Sequence, residues 1–328
     1  MKPRLISAFI ISAFVLGSCT GSKPDIPVND DLIIYAWRGG WFGLAKSYIF
    51  TASSYDPAVG NEIDLESVDF YPEWSPNGQW ILSISNEFQQ LSIINTSSGE
   101  KKKVLTASGD SKFYDASWSP DSIRIAYTIL TQGKMEMRWI DVSCFQSGNK
   151  CVPLENFIHY GSEPDWSPDG QSIAFTWDQK TNIQNQGKDN VYVMDYNGSG
   201  KPRIISGKLE DCHDPDWSTD GTNLVFNCNI DIFISNSDGN GLLNLTHQQP
   251  EDPLDPWYPE NVQPSWDPKG DRIAFLSQRD TGGLYVGNID KPRSNALFMM
   301  DADGGNIKRV TLDNQIAIDW YAWIIPSK

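Results

Sequence analysis

Acidic side chains recur at fixed distances before a repeated tryptophan. In five segments, the positions one and three residues before the tryptophan hold six carboxylates: Glu73, Asp115, Glu163, Asp165, Asp214 and Asp216. Side chains alternate along a β-strand, so these positions share one face if each segment is a strand. Like charges on one face are costly unless a cation joins them. The pattern therefore predicts a Ca²⁺-like ion, a Lys or Arg side chain from a partner, or a solvated acidic surface.

Histidine offers a second candidate chemistry. The chain contains His159, His213 and His247, and three imidazoles can bind a transition metal in a carbohydrate- or peptide-processing enzyme. They stand 7, 4 and 19 residues before the next tryptophan, so they are not equivalent and are predicted to be separate surface side chains. The chain has no Gly-x-Ser-x-Gly motif and no glycine-rich phosphate loop. We therefore predict that the protein is not an enzyme and has no cofactor, Ca²⁺ being the alternative.

Four cysteines suggest disulfide bonds and an oxidising compartment. Cys212 and Cys228 are equidistant from Asp220, a turn residue, and Cys144 and Cys151 flank a second turn in the same way. Directly opposed residues of a hairpin are close enough for a disulfide. Buried free thiols are the alternative. The Cys-x-x-Cys spacing typical of zinc sites does not occur in the sequence.

The N-terminus predicts export and a lipid anchor. Two basic residues precede an apolar run that is too short to span a bilayer, and the run ends in Leu-Gly-Ser-Cys at Cys19. This order resembles the signal peptide of bacterial lipoproteins, which implies that Cys19 is lipidated after residues 1–18 are removed. An ordinary secretory signal is the alternative. Residues 19–30 are then a flexible tether on an extracytoplasmic face, at the outer membrane if the cell is Gram-negative.

The net charge of −16 gives the protein an acidic character. Such a protein repels the phosphate backbone of nucleic acids and attracts cations or basic protein surfaces. Nucleic acid is therefore excluded as an expected partner.

The elements that would position these residues come from an internal repeat. Trp-Ser-Pro or a close variant begins at Trp74, Trp118, Trp166, Trp217 and Trp266, at spacings of 44, 48, 51 and 49 residues. Strand-like runs and a polar glycine turn follow each copy, which predicts a four-stranded unit. Four strands per repeat of this length are typical of a propeller blade. With strands from both ends sharing one blade, residues 31–328 are predicted to form an all-β, six-bladed β-propeller of four antiparallel strands per blade.

The repeat also carries a family resemblance. Pro-x-Trp-Ser-Pro-Asp-Gly followed by Ile-Ala-Phe, and Met-Asp-Ala-Asp-Gly followed by a basic residue and Val-Thr, resemble the propeller repeats of the TolB family. The resemblance covers residues 31–328 and implies a non-enzymatic propeller that binds partner proteins of the bacterial envelope. TolB has an α/β domain before its propeller. Here only the short tether precedes the repeats, so a lipoprotein form without that domain is expected.

Long insertions on one face of the predicted propeller are rich in aromatic residues. Loops on a rigid scaffold often bind partners, and aromatic side chains dominate binding hot spots. The partner-binding residues are therefore predicted to be Trp41, Phe42, Trp257, Tyr258 and Tyr285. The alternative is that these rings cap the edge of the core. The resulting hypothesis is a monomeric, lipid-anchored scaffold for envelope proteins; a metal-dependent carbohydrate- or peptide-processing propeller enzyme is the alternative.

Overall fold

The computed structural model describes ten segments of the chain: residues 32–39, 46–53, 56–63, 69–85, 87–147, 154–179, 189–246, 260–278, 296–310 and 318–323. The segments 32–39, 46–53, 56–63, 69–71 and 318–323 are described by their backbone alone. The predicted signal peptide, Cys19 and the tether lie outside the described residues, so these expectations stay predictions.

Five antiparallel four-stranded sheets contain one tryptophan repeat each, and we number them blades 1 to 5. Their strands, from inner to outer, are β4 (Asp69–Trp74), β5 (Trp80–Ser85), β6 (Gln90–Asn95) and β7 (Lys101–Thr106) in blade 1; β8 (Lys112–Trp118), β9 (Arg124–Thr131), β10 (Lys134–Asp141) and β11 (Glu155–Tyr160) in blade 2; β12 (Ser162–Trp166), β13 (Ser172–Trp177), β14 (Asn190–Asp195) and β15 (Arg203–Ile204) in blade 3; β16 (Cys212–Trp217), β17 (Asn223–Cys228), β18 (Asp231–Asn236) and β19 (Leu243–Asn244) in blade 4; and β20 (Asn261–Trp266), β21 (Arg272–Ser277), β22 (Ala296–Asp301) and β23 (Lys308–Arg309) in blade 5.

The tryptophan of each repeat ends an inner strand, and those of blades 2 to 5 pack between neighbouring blades. Trp118 of blade 2 lies in one core cluster with Leu82 of blade 1. Trp217 of blade 4 likewise packs with Val191 of blade 3. These side chains are almost completely buried, so the core lies between the sheets and joins each blade to the next.

The serine after the tryptophan closes the first hairpin of a blade. The Oγ atom of Ser167 accepts a hydrogen bond from the backbone N–H of Ser172 at 2.9 Å, and Ser218 Oγ accepts one from Asn223 at 2.9 Å. Ser75 and Ser119 make the equivalent bonds. The hydroxyl groups thus serve the turn, as expected of a turn residue.

Strands from the two ends of the chain form a further sheet in the order β24 (Ile318–Trp323), β1 (Leu32–Gly39), β2 (Lys46–Ser53) and β3 (Asp56–Ile63), here called the terminal sheet. β24 pairs with β1.

The predicted six-bladed ring is corrected by the packing of these sheets. Inner strands follow one another from β24 to β4 and on to β20, but among the described strands β20 makes no comparable contact with the terminal sheet. The fold is thus a β-propeller of five blades with four strands each, and the prediction of six blades is wrong. The physical reason lies in the repeat. Its copy at Trp323 has Ala322 where blades 1, 3 and 4 carry a carboxylate, so it lacks the side chain that bonds to the next inner strand in those blades.

Candidate functional site

A cavity of about 460 Å³ is lined by the inner strands of blades 1 to 5. The structure brings all six predicted carboxylates to its wall: Glu73, Asp115, Glu163, Asp165, Asp214 and Asp216. We call this cavity the channel. The tryptophans and prolines of the repeats line it as well, so its wall is both acidic and apolar.

The inner strands are less regular than the sequence pattern implies. Pairing between β16 and β17 shifts register between His213 and Asp216, and the other four blades have the same irregularity. Within the bulge, Glu163 and Asp214 have φ angles of 55° and 53°. Such values are uncommon for residues other than glycine and cost on the order of 1–3 kcal/mol. The predicted side chains do face the channel, but the bulge in each inner strand, and not a regular alternation of side chains, places them there.

The carboxylates one residue before the tryptophan join neighbouring blades. Glu73 Oε1 accepts a hydrogen bond from the backbone N–H of Trp118 in blade 2 at 3.1 Å. Asp165 Oδ2 accepts one from Trp217 in blade 4 at 2.8 Å. Asp216 Oδ2 repeats the pattern toward Trp266 in blade 5 at 2.7 Å. We call each such bond from a channel carboxylate to the next blade a latch.

The carboxylates three residues before the tryptophan form a second row of latches. Glu163 Oε2 accepts the backbone N–H of Asp214 at 2.8 Å and the hydroxyl of Thr176 at 2.7 Å. Asp115 accepts the backbone N–H of Glu163, and Asp214 accepts that of Gln263. All six carboxylates thus bond to a backbone N–H of the following blade, a role that the sequence analysis did not predict.

Burial makes several of these groups retain a proton. It raises the pKa of Glu73 to about 8, against the opposing effect of the Trp118 N–H. It also raises the pKa of Asp214 and of Asp216 to about 7 each. Asp115 and Asp165 have raised pKa values from burial and from neighbouring carboxylates. Proton retention therefore lowers the negative charge of the channel at neutral pH.

Glu163 is the exception, because it lies beside His213. Burial acts to raise the pKa of Glu163, but its bond to His213, the charge of His213 and two further hydrogen-bond donors hold it below its usual value. His213 Nδ1 lies 3.6 Å from Glu163 Oε1, and His213 Nε2 lies 3.3 Å from Asp211 Oδ1 and 3.9 Å from Asp189 Oδ2. The prediction that His213 is an isolated surface residue is therefore wrong. Its place next to Asp214 in the acidic repeat was the available signal.

The other histidines do not join this cluster as far as the structure describes them. His159 lies on the outer strand β11, where its ring packs 4.6 Å from Trp177 and Nδ1 contacts the Tyr160 carbonyl at 2.6 Å. His247 lies outside the described residues. In the part of the chain that the structure describes, no group of three or more His, Cys, Asp or Glu side chains is arranged to hold a metal ion. The calcium ion in the channel and the alternative of a metal-dependent enzyme stay predictions.

One predicted disulfide is confirmed. Cys212 and Cys228 are directly opposed on β16 and β17, bonded to each other with a Cα–Cα distance of 4.0 Å. Cys144 is disulfide-bonded as well, while Cys151, its predicted partner, lies outside the described residues. Cys144 lies in the one-turn helix α1 (Ser143–Gln146), within the connection between the antiparallel strands β10 and β11 and not on a strand.

The predicted partner-binding residues lie outside the described residues: Trp41, Phe42, Trp257, Tyr258 and Tyr285. Their role stays a prediction. Among the residues described, no helix has the length and apolar character needed to cross a bilayer.

Comparison with known proteins finds TolB proteins among the relatives in sequence. Residues 97–282 match the family described as the TolB beta propeller domain. The Tol-Pal system protein TolB of Francisella tularensis subsp. mediasiatica (strain FSC147) is 24% identical over 261 residues, which cover 66% of this chain and 57% of the relative. The protein of the same name from strain SCHU S4 is also 24% identical, with 66% and 56% covered. The match thus spans little more than half the length of these curated relatives.

Solved structures share the fold. TolB from Acinetobacter baumannii superposes with a TM-score of 0.66 at 17% identity, covering 90% of this chain and 66% of that one. A putative TolB from Agrobacterium tumefaciens gives 0.56 at 23% identity, covering 77% and 84%. A chain of a nidogen/laminin complex gives 0.61 at 8% identity, covering 89% and 97%. At these identities the likeness concerns the fold alone.

Proposed function

Because this chain belongs to the TolB β-propeller family, we propose that it is a non-enzymatic scaffold that binds another protein. The curated relatives are named as proteins of the Tol-Pal system, and one structural neighbour is a chain of a protein complex. In this proposal the propeller is a rigid support, and its loops bind the partner.

The observation that carries the proposal is the use of the channel carboxylates. Each of the six accepts a backbone N–H from the following blade, so these groups serve as structural acceptors. A glycosidase needs two carboxyl groups in separate acid and base roles, facing a substrate. The latches instead supply the rigidity that a binding scaffold needs.

We further propose that the scaffold works at the cell envelope as a monomer, held by a lipid on Cys19. The order of charge, apolar run and cysteine at the N-terminus supports the anchor. The confirmed disulfide between Cys212 and Cys228 supports an oxidising compartment. The partner is an envelope protein, and Pal of the same organism is the first candidate because the relatives' names include it.

The test is binding of the purified chain, without its first 19 residues, to Pal of the same organism. In parallel, the full-length protein is cross-linked in envelopes and captured. A triple variant carries Trp41→Ala, Trp257→Ala and Tyr258→Ala. Phe157→Ala is the matched control, since this exposed aromatic residue lies on the outer strand β11 and belongs to none of the predicted binding segments.

We expect one partner to be captured by the wild type and by Phe157→Ala but lost from the triple variant. A partner other than Pal supports the scaffold and contradicts the Tol-Pal role. Equal capture by all three proteins contradicts the loop site. Absence of any partner contradicts the scaffold proposal.

A further inference from the structure

The cluster around His213 contains charges that the latches do not explain. His213 lies on β16, the inner strand of blade 4, and its side chain is 23% exposed. Glu163 comes from β12 of blade 3, and Asp189 lies just before β14 of the same blade. The imidazole therefore lies at the junction of two blades.

Carboxyl groups face His213 from each of these elements. They are Glu163 of β12, Asp189 before β14, Asp211 and Asp214 beside it on its own segment, and Asp115 of β8. Among the described residues, His213 is the only basic side chain within ion-pair distance of Glu163, Asp189 or Asp211. An acidic cluster of this kind needs a positive charge to be stable in a half-buried place.

The two ring nitrogens are placed to supply that charge. Nδ1 points to Glu163 and Nε2 to Asp211 and Asp189, so both nitrogens face acceptors, as only the doubly protonated ring can satisfy. Burial alone would lower the pKa of His213. Contact with Glu163 and the charges of Glu163, Asp214 and Asp189 instead raise it to about 10.

We infer that His213 is the resident cation of the channel: its imidazolium joins blade 3 to blade 4 and occupies the place that an external cation would otherwise take. The inference concerns the chain alone and is independent of any partner. It also explains how Glu163 stays charged and able to accept the Asp214 N–H while neighbouring carboxyl groups retain protons.

The direct test is NMR of the wild type with ¹³C-labelled histidine. The chain has three histidines, and His213→Gln assigns the relevant signal by its disappearance. We expect the Cε1–Hε1 signal of His213 to keep its imidazolium position well above the usual histidine pKa of about 6.5. A His213 signal at the neutral position at pH 8 would overturn the inference, whatever the variant does.

A second test asks whether Ca²⁺ can replace the imidazolium of His213 when that side chain is removed. Thermal unfolding is measured with and without millimolar Ca²⁺ at neutral pH, for wild type, His213→Gln and His213→Lys. We expect Ca²⁺ to raise the Tm of His213→Gln only, because Lys keeps the positive charge. His159→Gln, on the outer strand, is the matched control and should behave as wild type.

An equal Ca²⁺ response of wild type and His213→Gln would contradict the idea that His213 fills the cation position. If His213→Gln does not fold, the NMR measurement on the wild type and the His213→Lys variant still decide the inference.

Discussion

The inner strands β12 of blade 3 and β16 of blade 4 occupy the same place in their repeats, but different numbers of bonds join them to the neighbouring strands. β16 receives two latches from blade 3, through Asp165 and Glu163, and is tied to β17 by the Cys212–Cys228 disulfide. β12 receives one latch, from Asp115. At the position where a second would start, blade 2 has Ser117, whose buried Oγ has no hydrogen-bond partner among the residues that the structure describes.

The comparison shows that a blade can carry the tryptophan repeat without carrying both latches. The repeat sets the hairpin turn in all five blades and the packing of the tryptophan in blades 2 to 5, whereas the residues one and three before it determine how tightly each blade joins the next. Junctions on either side of blade 4 have two carboxylate latches, and those on either side of blade 2 have one described latch each.

The largest expected effect comes from opening the disulfide of β16. Replacing Cys212 and Cys228 together by Ser should lower the free energy of unfolding by about 3 kcal/mol, since the bond closes a loop of 16 residues. Chemical denaturation measures the change. The matched variant is Ser277→Ala in blade 5, because Asn261 and Ser277 are the opposed pair at the equivalent repeat positions and are joined by a hydrogen bond instead of a disulfide; it should cost less. Equal losses would contradict the idea that the disulfide gives β16 an additional restraint.

Removal of a latch should give the next largest effect. Asp165→Ala leaves the Trp217 N–H without its acceptor, and a buried unsatisfied donor costs about 1–3 kcal/mol. Asp165→Asn keeps an acceptor oxygen and should cost less than half as much. Urea unfolding at constant pH measures both. If the two variants are equally stable, the carboxylate does not act as an acceptor.

The pH dependence of stability follows from the raised pKa of Glu73. Below about pH 4.5 both states bind the proton, but between about pH 4.5 and 8 the folded state keeps a proton that the unfolded state has lost. Stability therefore falls as the pH rises through this window, by roughly 1 kcal/mol or more. Unfolding measured across that range should show a flatter profile for Glu73→Gln, which can still accept the Trp118 N–H. A wild-type profile that rises with pH would refute this sign.

The smallest effect is expected at Ser117. Ser117→Ala removes a buried hydroxyl without a partner, so the free energy of unfolding should change by no more than about 0.5 kcal/mol or should increase. Ser265→Ala is the comparison, because its Oγ lies 3.4 Å from Asp216 Oδ1. A loss at Ser117 larger than that at Ser265 would show that Ser117 has a bond the account omits.

The sequence predicts the repeated unit well because the signals are local. Trp-Ser-Pro, the turn glycine and the alternating strands specify four-stranded units, and the symmetric spacing about Asp220 identifies Cys212–Cys228. The arrangement of units is not local. Whether the terminal sheet joins β20 depends on contacts between distant residues, which is where the predicted ring needed correction.

The sequence predicted which carboxylates line the channel, but it did not predict that they bond to the next blade. Alternation placed Asp165 and Asp216 on the channel, but the acceptor partners Trp217 and Trp266 lie in another blade, some 50 residues away. His213 was misread because its cation role depends on Glu163 and Asp189, which are far from it in sequence. The positive charge of His213 meets these carboxylates only when blades 3 and 4 are packed together, so the sequence alone does not show that the chain neutralises its own acidic cluster.

The most direct test of the account is amide hydrogen exchange at Trp217 and Trp118 in the wild type and in Asp165→Ala. The account predicts that the variant loses protection at the Trp217 N–H while the Trp118 N–H, which is bound by Glu73, stays protected. Unchanged protection of Trp217 would contradict the claim that channel carboxylates join each blade to the next.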